Sequence, residues 1–406
     1  MATLRDNDAV IVSIGRSPIG RARKGGLVDV RADELAAQTF RAILDRVPEV
    51  STSDIEDLYL GCAEPSGEQG YNLARQISIL LNADEIPGAT INRFCASSIQ
   101  AARMATHALW AGEGDAFLVG GVESASRFGY LDPAGNPRFA LAAERTKRRM
   151  ADGSSWTNPR ESGELPDAYI NMGQTAENVA RLTGTSRTNQ DEFAYRSQVL
   201  AAKSASNGFF EREIVPILRP DGTTFTADDS LRPATSLEGL AELEPAFAAG
   251  GSVTAGNACP LNDGASAALI VSGKFARERG LTPLGRVLST AATGLSPEIM
   301  GLGPIEASKK ALERAGLTIS DMNIVEINEA FAAQVLPSAR VLNIDLENQL
   351  NPHGGAIAIG HPFGATGVRL MGTLLNGLQA RDQTFGLATL CVGGGQGMAI
   401  VLERLN

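Results

Sequence analysis

Short apolar runs alternate with helical stretches at both ends of this chain, and that alternation restricts the fold to an α/β architecture. VIVSIG near the start reads as a first strand. Residues 33–46 have helical spacing, with Leu35, Ala36, Phe40 and Ile43 on one face. A strand at about 57–61, a helix around 71–81, the strand GATIN, an Ala-rich helix over 97–111 and the strand AFLVGG follow. The rhythm lapses over residues 127–260, which are richer in Pro, Asn, Asp and charge and hold one long helical stretch, about 174–206, in two pieces. It resumes from about 264 with strand SAALIVS, helix PIEASKKALERAG, strand NIVEIN, helix EAFAAQVL, a helix around 366–380, and strands FGLATL and MAIVLE. We therefore divide the chain into a first half (1–126 with about 260–280), an inserted segment (127–259) and a second half (281–406).

An internal echo accompanies this division. A loop carrying Cys95 leads into a helix, the turn GEGD and a strand ending in Gly120-Gly121. A loop carrying His361 leads into a helix, the turn QARDQT and a strand followed by Gly393-Gly394. As a duplication, the halves would pack as two similar sheets with a site between them.

Length and charge narrow the function. The 406 residues suffice for two or three domains. A net charge of −10 argues against non-specific binding to nucleic acid or a membrane surface, while a small anionic ligand needs only a local basic patch. Charges precede VIVSIG, so the start does not read as a signal peptide, and no apolar run is long enough to span a bilayer. Four cysteines without a C-x-x-C pair predict a reducing, cytoplasmic setting. Three His and four Cys scattered along the chain make a metal site improbable. The P-loop pattern is absent, and VGGGQG leads into a strand where a dinucleotide fingerprint needs a helix.

The chemistry concentrates in a few loops. Cys95, in NRFCASS, sits before a long helix, where unpaired N–H groups and the helix dipole favour a thiolate; it could equally pack as a small buried hydrophobe. His361 lies in GGAIAIGHPFGATG, whose glycines allow tight turns and close approach of a ligand. The other reading is a structural His bonded to backbone, which is the reading preferred for His353 in NPHGG. Cys391 precedes a glycine run whose N–H groups suit an oxyanion, or it simply packs at a strand end. Asn328 follows a strand, as a ligand-contacting group or a helix N-cap.

Taken together, NRFCASS, GGVESAS, MGQTAENVA, VTAGNACPLNDGASA, EINEAFAAQ, GGAIAIGHPFGATG and CVGGGQG resemble the thiolase family, in order and over nearly the whole chain. The resemblance implies two similar halves, each a five-stranded sheet with helices on both faces, in a five-layered α/β/α/β/α core, with a loop domain inserted in the first half. It implies a homodimer or homotetramer. It also implies site roles: Cys95 as acylated nucleophile, His361 as its base, and Cys391 as second acid/base. Asn328 with His361 would hold a water at the thioester oxyanion, and the N–H groups of Cys95 and Gly393 would form the other oxyanion hole. Coenzyme A, a substrate and not a bound cofactor, would contact Met172, Arg232, Leu243, Phe247, Ala255, Ala258 and Phe331.

The expected reaction is thiolytic cleavage of a 3-ketoacyl-CoA, or its Claisen reverse, by ping-pong transfer through acyl-Cys95. A carrier-protein synthase of the same fold group would typically use one Cys and two His; Asn328 and Cys391 favour a thiolase. GNACPLND and Asn171-Met172 resemble degradative members, those of fatty acid β-oxidation. The alternative is an acetoacetyl-CoA-specific biosynthetic enzyme.

Overall fold

The structure, a computed structural model, describes residues 4–127 and 135–406. In the first half, strands β1 (Ala9–Arg16), β2 (Asp57–Gly61), β3 (Gly88–Ile91), β4 (Ala116–Ser124) and β5 (Asn262–Ser272) lie in the order β3-β2-β4-β5-β1. In the second, β6 (Gly285–Gly294), β7 (Ile324–Ile327), β8 (Phe385–Val392) and β9 (Gln396–Arg404) lie in the order β7-β8-β9-β6. β2 runs parallel to β3 and β4, and β5 antiparallel to β4 and β1. The second half repeats the pattern: β7 parallel to β8, and β9 antiparallel to β8 and β6. Where the first half has β3, the second has a single parallel bridge from Leu350 to Val325.

The repetition extends to turns. Asp54 accepts from the Ser51 N–H (2.8 Å) just before β2, and Asp321 from the Thr318 N–H (2.7 Å) just before β7. Both turns are capping boxes.

Side-chain alternation on the strands sorts the core into layers. Leu269 and Val271 of β5 pack outward on Leu35, Phe40 and Ile43 of α1 (Ala32–Asp45). Their neighbours Ala268 and Ile270 face inward, toward Ile99 and Ala102 on one central helix and Val368 and Leu374 on another. Met398 and Ile400 of β9 face the same middle layer, while Ala399 and Val401 pack outward with Ala311 and Val335. The central helices are α3 (Ser97–Ala111) and α9 (Thr366–Ala380). α2 (Leu73–Leu80) joins α1 in one outer layer; α7 (Gly303–Ala315) and α8 (Ala332–Leu342) form the other. This is the five-layered α/β/α/β/α core. α4 (Ala140–Asp152), α5 (Met172–Thr183) and α6 (Arg187–Ser206) lie in the segment between β4 and β5.

Three findings depart from the sequence reading. The two sheets are not separate, because β1 and β6 pair over Val10–Ile11 and Gly285–Arg286. β6, GRVLSTAATG, was not expected as a strand; its Ser, Thr and Ala residues give little apolar alternation, yet it is held on both sides. The helix expected over EAFAAQVL begins only at Ala332. Phe331 is extended (φ −148°, ψ 139°), and Ala330 accepts from the Cys259 N–H (3.0 Å).

β9 approaches α7 so closely that a Cβ on Gly397 would lie 1.9 Å from the Gly303 carbonyl oxygen. Gly397→Ala should therefore cost at least about 2 kcal/mol of stability. A chemical denaturation midpoint equal to that of the parent would show that this contact yields.

Candidate active site

Cys95 reaches the site from the first half. Asn92 Oδ1 accepts from the Phe94 N–H (2.8 Å), and Ser97 Oγ donates to the Phe94 carbonyl (2.6 Å) while accepting from the Arg93 N–H (2.9 Å). These bonds hold Phe94 at φ +43°, a costly conformation for a non-glycine residue, and place Cys95 just ahead of α3. The Gly393 N–H, from the second half, donates to the Cys95 sulfur. A Cβ on Gly393 would meet the Phe94 ring at 3.3 Å, so the bare backbone is what fits there. Arg93 Nη1 donates to Gln396 Oε1 (2.7 Å), and Gln396 Nε2 to the Gly393 carbonyl (3.3 Å), tying the glycine run to the nucleophile loop.

His361 is buried, its backbone N–H donating to Asn262 Oδ1 (2.9 Å). The Thr366 hydroxyl gives its one proton to the Pro362 carbonyl (2.8 Å), so at 2.7 Å it accepts from Nδ1–H of His361. The hydrogen-bond network thereby assigns the tautomer, and the lone pair falls on Nε2. Asn328 Nδ2 lies 3.2 Å from Nε2. Asn328 is fixed by its own backbone: its N–H donates to Thr389 of β8 (3.0 Å) and its carbonyl accepts from Gln334 Nε2 (2.7 Å). It is not a helix N-cap; Phe331 occupies that position. Cys391, near the end of β8, is buried in an apolar cluster with Ala258, Met300 and Phe331.

Burial sets the protonation states. The Cys95 thiol is pushed up to about 12 by desolvation, and the Glu123 carboxylate adds to the rise, against the lowering effect of the Gly393 N–H. The expectation that the helix terminus would favour a thiolate is thus overturned. His361 is pushed down to about 3 by burial and then by the Arg369 charge. Cys391 is raised well above the ordinary thiol range by burial, with Cys95 and Cys259 adding to it. At rest the site holds neutral thiols beside a neutral imidazole.

The residues expected to meet coenzyme A divide into three groups. Met172, Phe247, Ala258 and Phe331 share the apolar cluster of Cys391 and Cys259. Leu243 packs in a neighbouring cluster, though a Cβ on Gly256 would touch its side chain at 2.6 Å, and Ala255 is exposed on that same turn. Arg232 stands apart, exposed, its N–H donating to Gln198 Oε1 (2.9 Å). Its guanidinium pKa is lowered by burial and by nearby Arg21, and among the described residues no carboxylate pairs with it. Sequence reasoning gave no role to Thr366, Asn262, Gln396 or Glu123. Glu123 is buried, accepts N–H groups from Ala63 (2.9 Å) and Gly364 (2.8 Å), and is pushed up to about 7 by burial. Thr366 lay in a quoted motif, five residues after His361. His353 stacks on Phe209 (3.6 Å between centroids), away from this chemistry. Among the described residues no cluster of His, Cys, Asp or Glu could hold a metal.

Family profiles for the "Thiolase, N-terminal domain" and the "Thiolase, C-terminal domain" match residues 9–274 and 281–404. The chain belongs to the thiolase family. It is 43% identical to a 3-ketoacyl-CoA thiolase of Marinomonas sp., over 99% of this chain and 100% of the relative. It is also 43% identical to a β-ketoadipyl-CoA thiolase of Escherichia coli, over 96% and 98% of the two chains. The crystal structure of the dimeric peroxisomal thiolase of Saccharomyces cerevisiae superposes with a TM-score of 0.87 at 36% identity, covering 100% of this chain and 99% of that one. As a thiolase the chain is an acyltransferase.

A protonated Cys95 has a measurable signature in this thiolase. Its alkylation by iodoacetamide should rise by about tenfold per pH unit between pH 6 and 9, since only the thiolate reacts. A rate already level below pH 7 would indicate a standing thiolate–imidazolium pair.

Proposed function

We propose that the chain is a degradative 3-ketoacyl-CoA thiolase, acting by ping-pong transfer through acyl-Cys95. The observation that supports this reading is the Gly393 N–H of the second half set against Cys95 of the first, with the His361–Asn328 pair (3.2 Å) held just ahead of α9, the helix that packs on α3. In the proposed cycle, Cys95 attacks the 3-keto carbon as its proton passes to Nε2 of His361. The N–H groups of Cys95 and Gly393 take the oxyanion. The carbon–carbon bond breaks, and Cys391 delivers a proton to the acetyl-CoA enolate, whose oxygen is stabilised from the Asn328 side. A second CoA, deprotonated by Cys391, removes the acyl group. Coenzyme A enters as a substrate against Met172, Leu243, Phe247, Ala255, Ala258 and Phe331, with the unpaired Arg232 suited to its phosphates.

The apolar cluster supports chains longer than acetoacetyl and a place in fatty acid β-oxidation, because Met172, Phe247, Met300 and Phe331 offer hydrocarbon contact. Each accepted CH₂ is worth up to about 0.8 kcal/mol, or roughly fourfold. Thiolysis kcat/KM should hold or rise from four- to eight-carbon substrates, with an acyl adduct on the Cys95 peptide by mass spectrometry. A steep fall beyond four carbons would identify the acetoacetyl-specific alternative, and an adduct elsewhere would overturn the role of Cys95. The free cysteines fit a cytoplasmic enzyme, and no described helix is long and apolar enough to cross a membrane.

A homodimer fits the first-half face around β3. Tyr71 is 97% exposed there, and Ile79 of α2 is half exposed beside it. Sedimentation should give twice the chain mass, and Tyr71→Asp should weaken association at least about tenfold. Four chain masses would point to a tetramer; a monomer at micromolar concentration would overturn the proposal.

A further inference from the structure

We infer that Arg369 is a positioning residue that holds the Asn328 carboxamide in the orientation needed for the carbon–carbon step. The inference rests on the thiolase reading above. Arg369 lies three residues after Thr366, so both project from one face of α9. Thr366 fixes the imidazole of His361 through Nδ1. Arg369 Nη2 donates to Asn328 Oδ1 (3.3 Å). A guanidinium has donors only, so the amide must turn its oxygen to Arg369 and its Nδ2 to His361. One helical face thus sets both the tautomer of the base and the orientation of the amide beside it.

The surroundings make that bond selective. Arg369 is 2% exposed, and among the described residues its Nε and Nη1 find no hydrogen-bond partner. The acidic groups that act on it are Glu326, on β7 two residues before Asn328 and 1% exposed, and then Glu213 and Glu329, with Arg16 acting the other way. Neither Glu326 oxygen has a hydrogen-bond partner among the described residues, and burial pushes its carboxyl up to about 8 against the lowering effect of the Arg369 charge. Glu326 therefore faces Arg369 without anchoring its fork. Among the described residues the guanidinium's hydrogen bond goes to Asn328.

The two half-reactions depend on this amide unequally. In the proposed cycle Asn328 stabilises the enolate oxygen as the carbon–carbon bond breaks. Exchange of an acyl group between CoA and Cys95 uses the N–H groups of Cys95 and Gly393. Freeing the amide to rotate should penalise the first and spare the second, whereas general loosening of the fold would lower both.

Two variants test this. Arg369→Lys keeps the charge opposite Glu326. The double variant Glu326→Gln/Arg369→Met removes the guanidinium together with the carboxyl group that faces it. Acetoacetyl-CoA thiolysis and exchange of labelled CoA into acetyl-CoA are measured on the parent and both variants. In the double variant thiolysis should fall about 30- to 100-fold, the scale of losing one oxyanion donor, with exchange within about threefold and KM for CoA within about twofold. Arg369→Lys should fall between the parent and the double variant, and it decides the matter should the double variant fail to fold. A parallel loss of both activities, or unchanged thiolysis, would overturn the role of Arg369. A parent inactive in both assays would instead sink the thiolase reading itself.

Discussion

The close contact of the two central helices is the constraint on which the site depends. The Val368 N–H of α9 donates to Ser98 Oγ of α3 (3.0 Å), and a Cβ on Gly367 would lie 2.5 Å from the Ile99 nitrogen. Contact of this kind needs small residues, which Ala101, Ala102 and Ala105 supply along α3. Both helices are sandwiched between sheets; α9 is buried from Thr366 to Leu378, while α3 keeps one edge, with Arg103, His107 and Trp110, toward solvent. Locked together at their first turns, they bring the loops that precede them to the same place. One loop carries Cys95 and the other His361. The parallel strands β7 and β8 end there too, delivering Asn328 and Gly393, as α/β sheets commonly do.

The same burial that assembles these groups governs their charge. A helix terminus favours an anion by about 0.3–1 kcal/mol, and by about 2 in the best geometries. A thiol raised to about 12 reflects roughly 4 kcal/mol against the thiolate, so desolvation wins at Cys95. The depressed His361 belongs to the same logic, since an imidazolium is also disfavoured in a dry site. A site of neutral groups stores no ion pair that substrate binding must break up. In the proposed cycle charge then develops only as the thiol attacks, and the N–H groups of Gly393 and Cys95 take it.

Much of this was legible because local pattern and tertiary role coincide. The helix expected over 97–111 is Ser97–Ala111, and the face of Leu35, Ala36, Phe40 and Ile43 is buried against β5. Cys95, His361 and Cys391 stood out as rare residue types, the last two in or beside glycine-rich loops. β6 did not, because a strand held on both sides needs no amphipathic alternation. EAFAAQVL has helical residues throughout, but pairing of Ala258 with Phe331 keeps the chain extended to that point. That is a tertiary contact no local propensity encodes. The protonation states were hidden for the same reason. Proximity to a helix end is readable from spacing, whereas the desolvation that outweighs it depends on which distant segments close over the thiol.

A duplicated architecture could support two equivalent sites, but among the described residues the corresponding positions carry different groups. The loop before α3 carries Cys95; the matching loop before α9 carries His361. At the end of β4 the buried group is Glu123, whose oxygens are occupied by backbone N–H groups of Ala63, Glu64 and Gly364. At the matching end of β8 it is Cys391, followed by glycines that leave their N–H groups available. The first half thus uses its carboxylate to tie loops from both halves together, and the second leaves its strand end open for chemistry. Neither half alone holds a nucleophile, a base and an oxyanion donor. The single site is a property of the pair, which is why the packing of α3 on α9 is a requirement for function as well as for the fold.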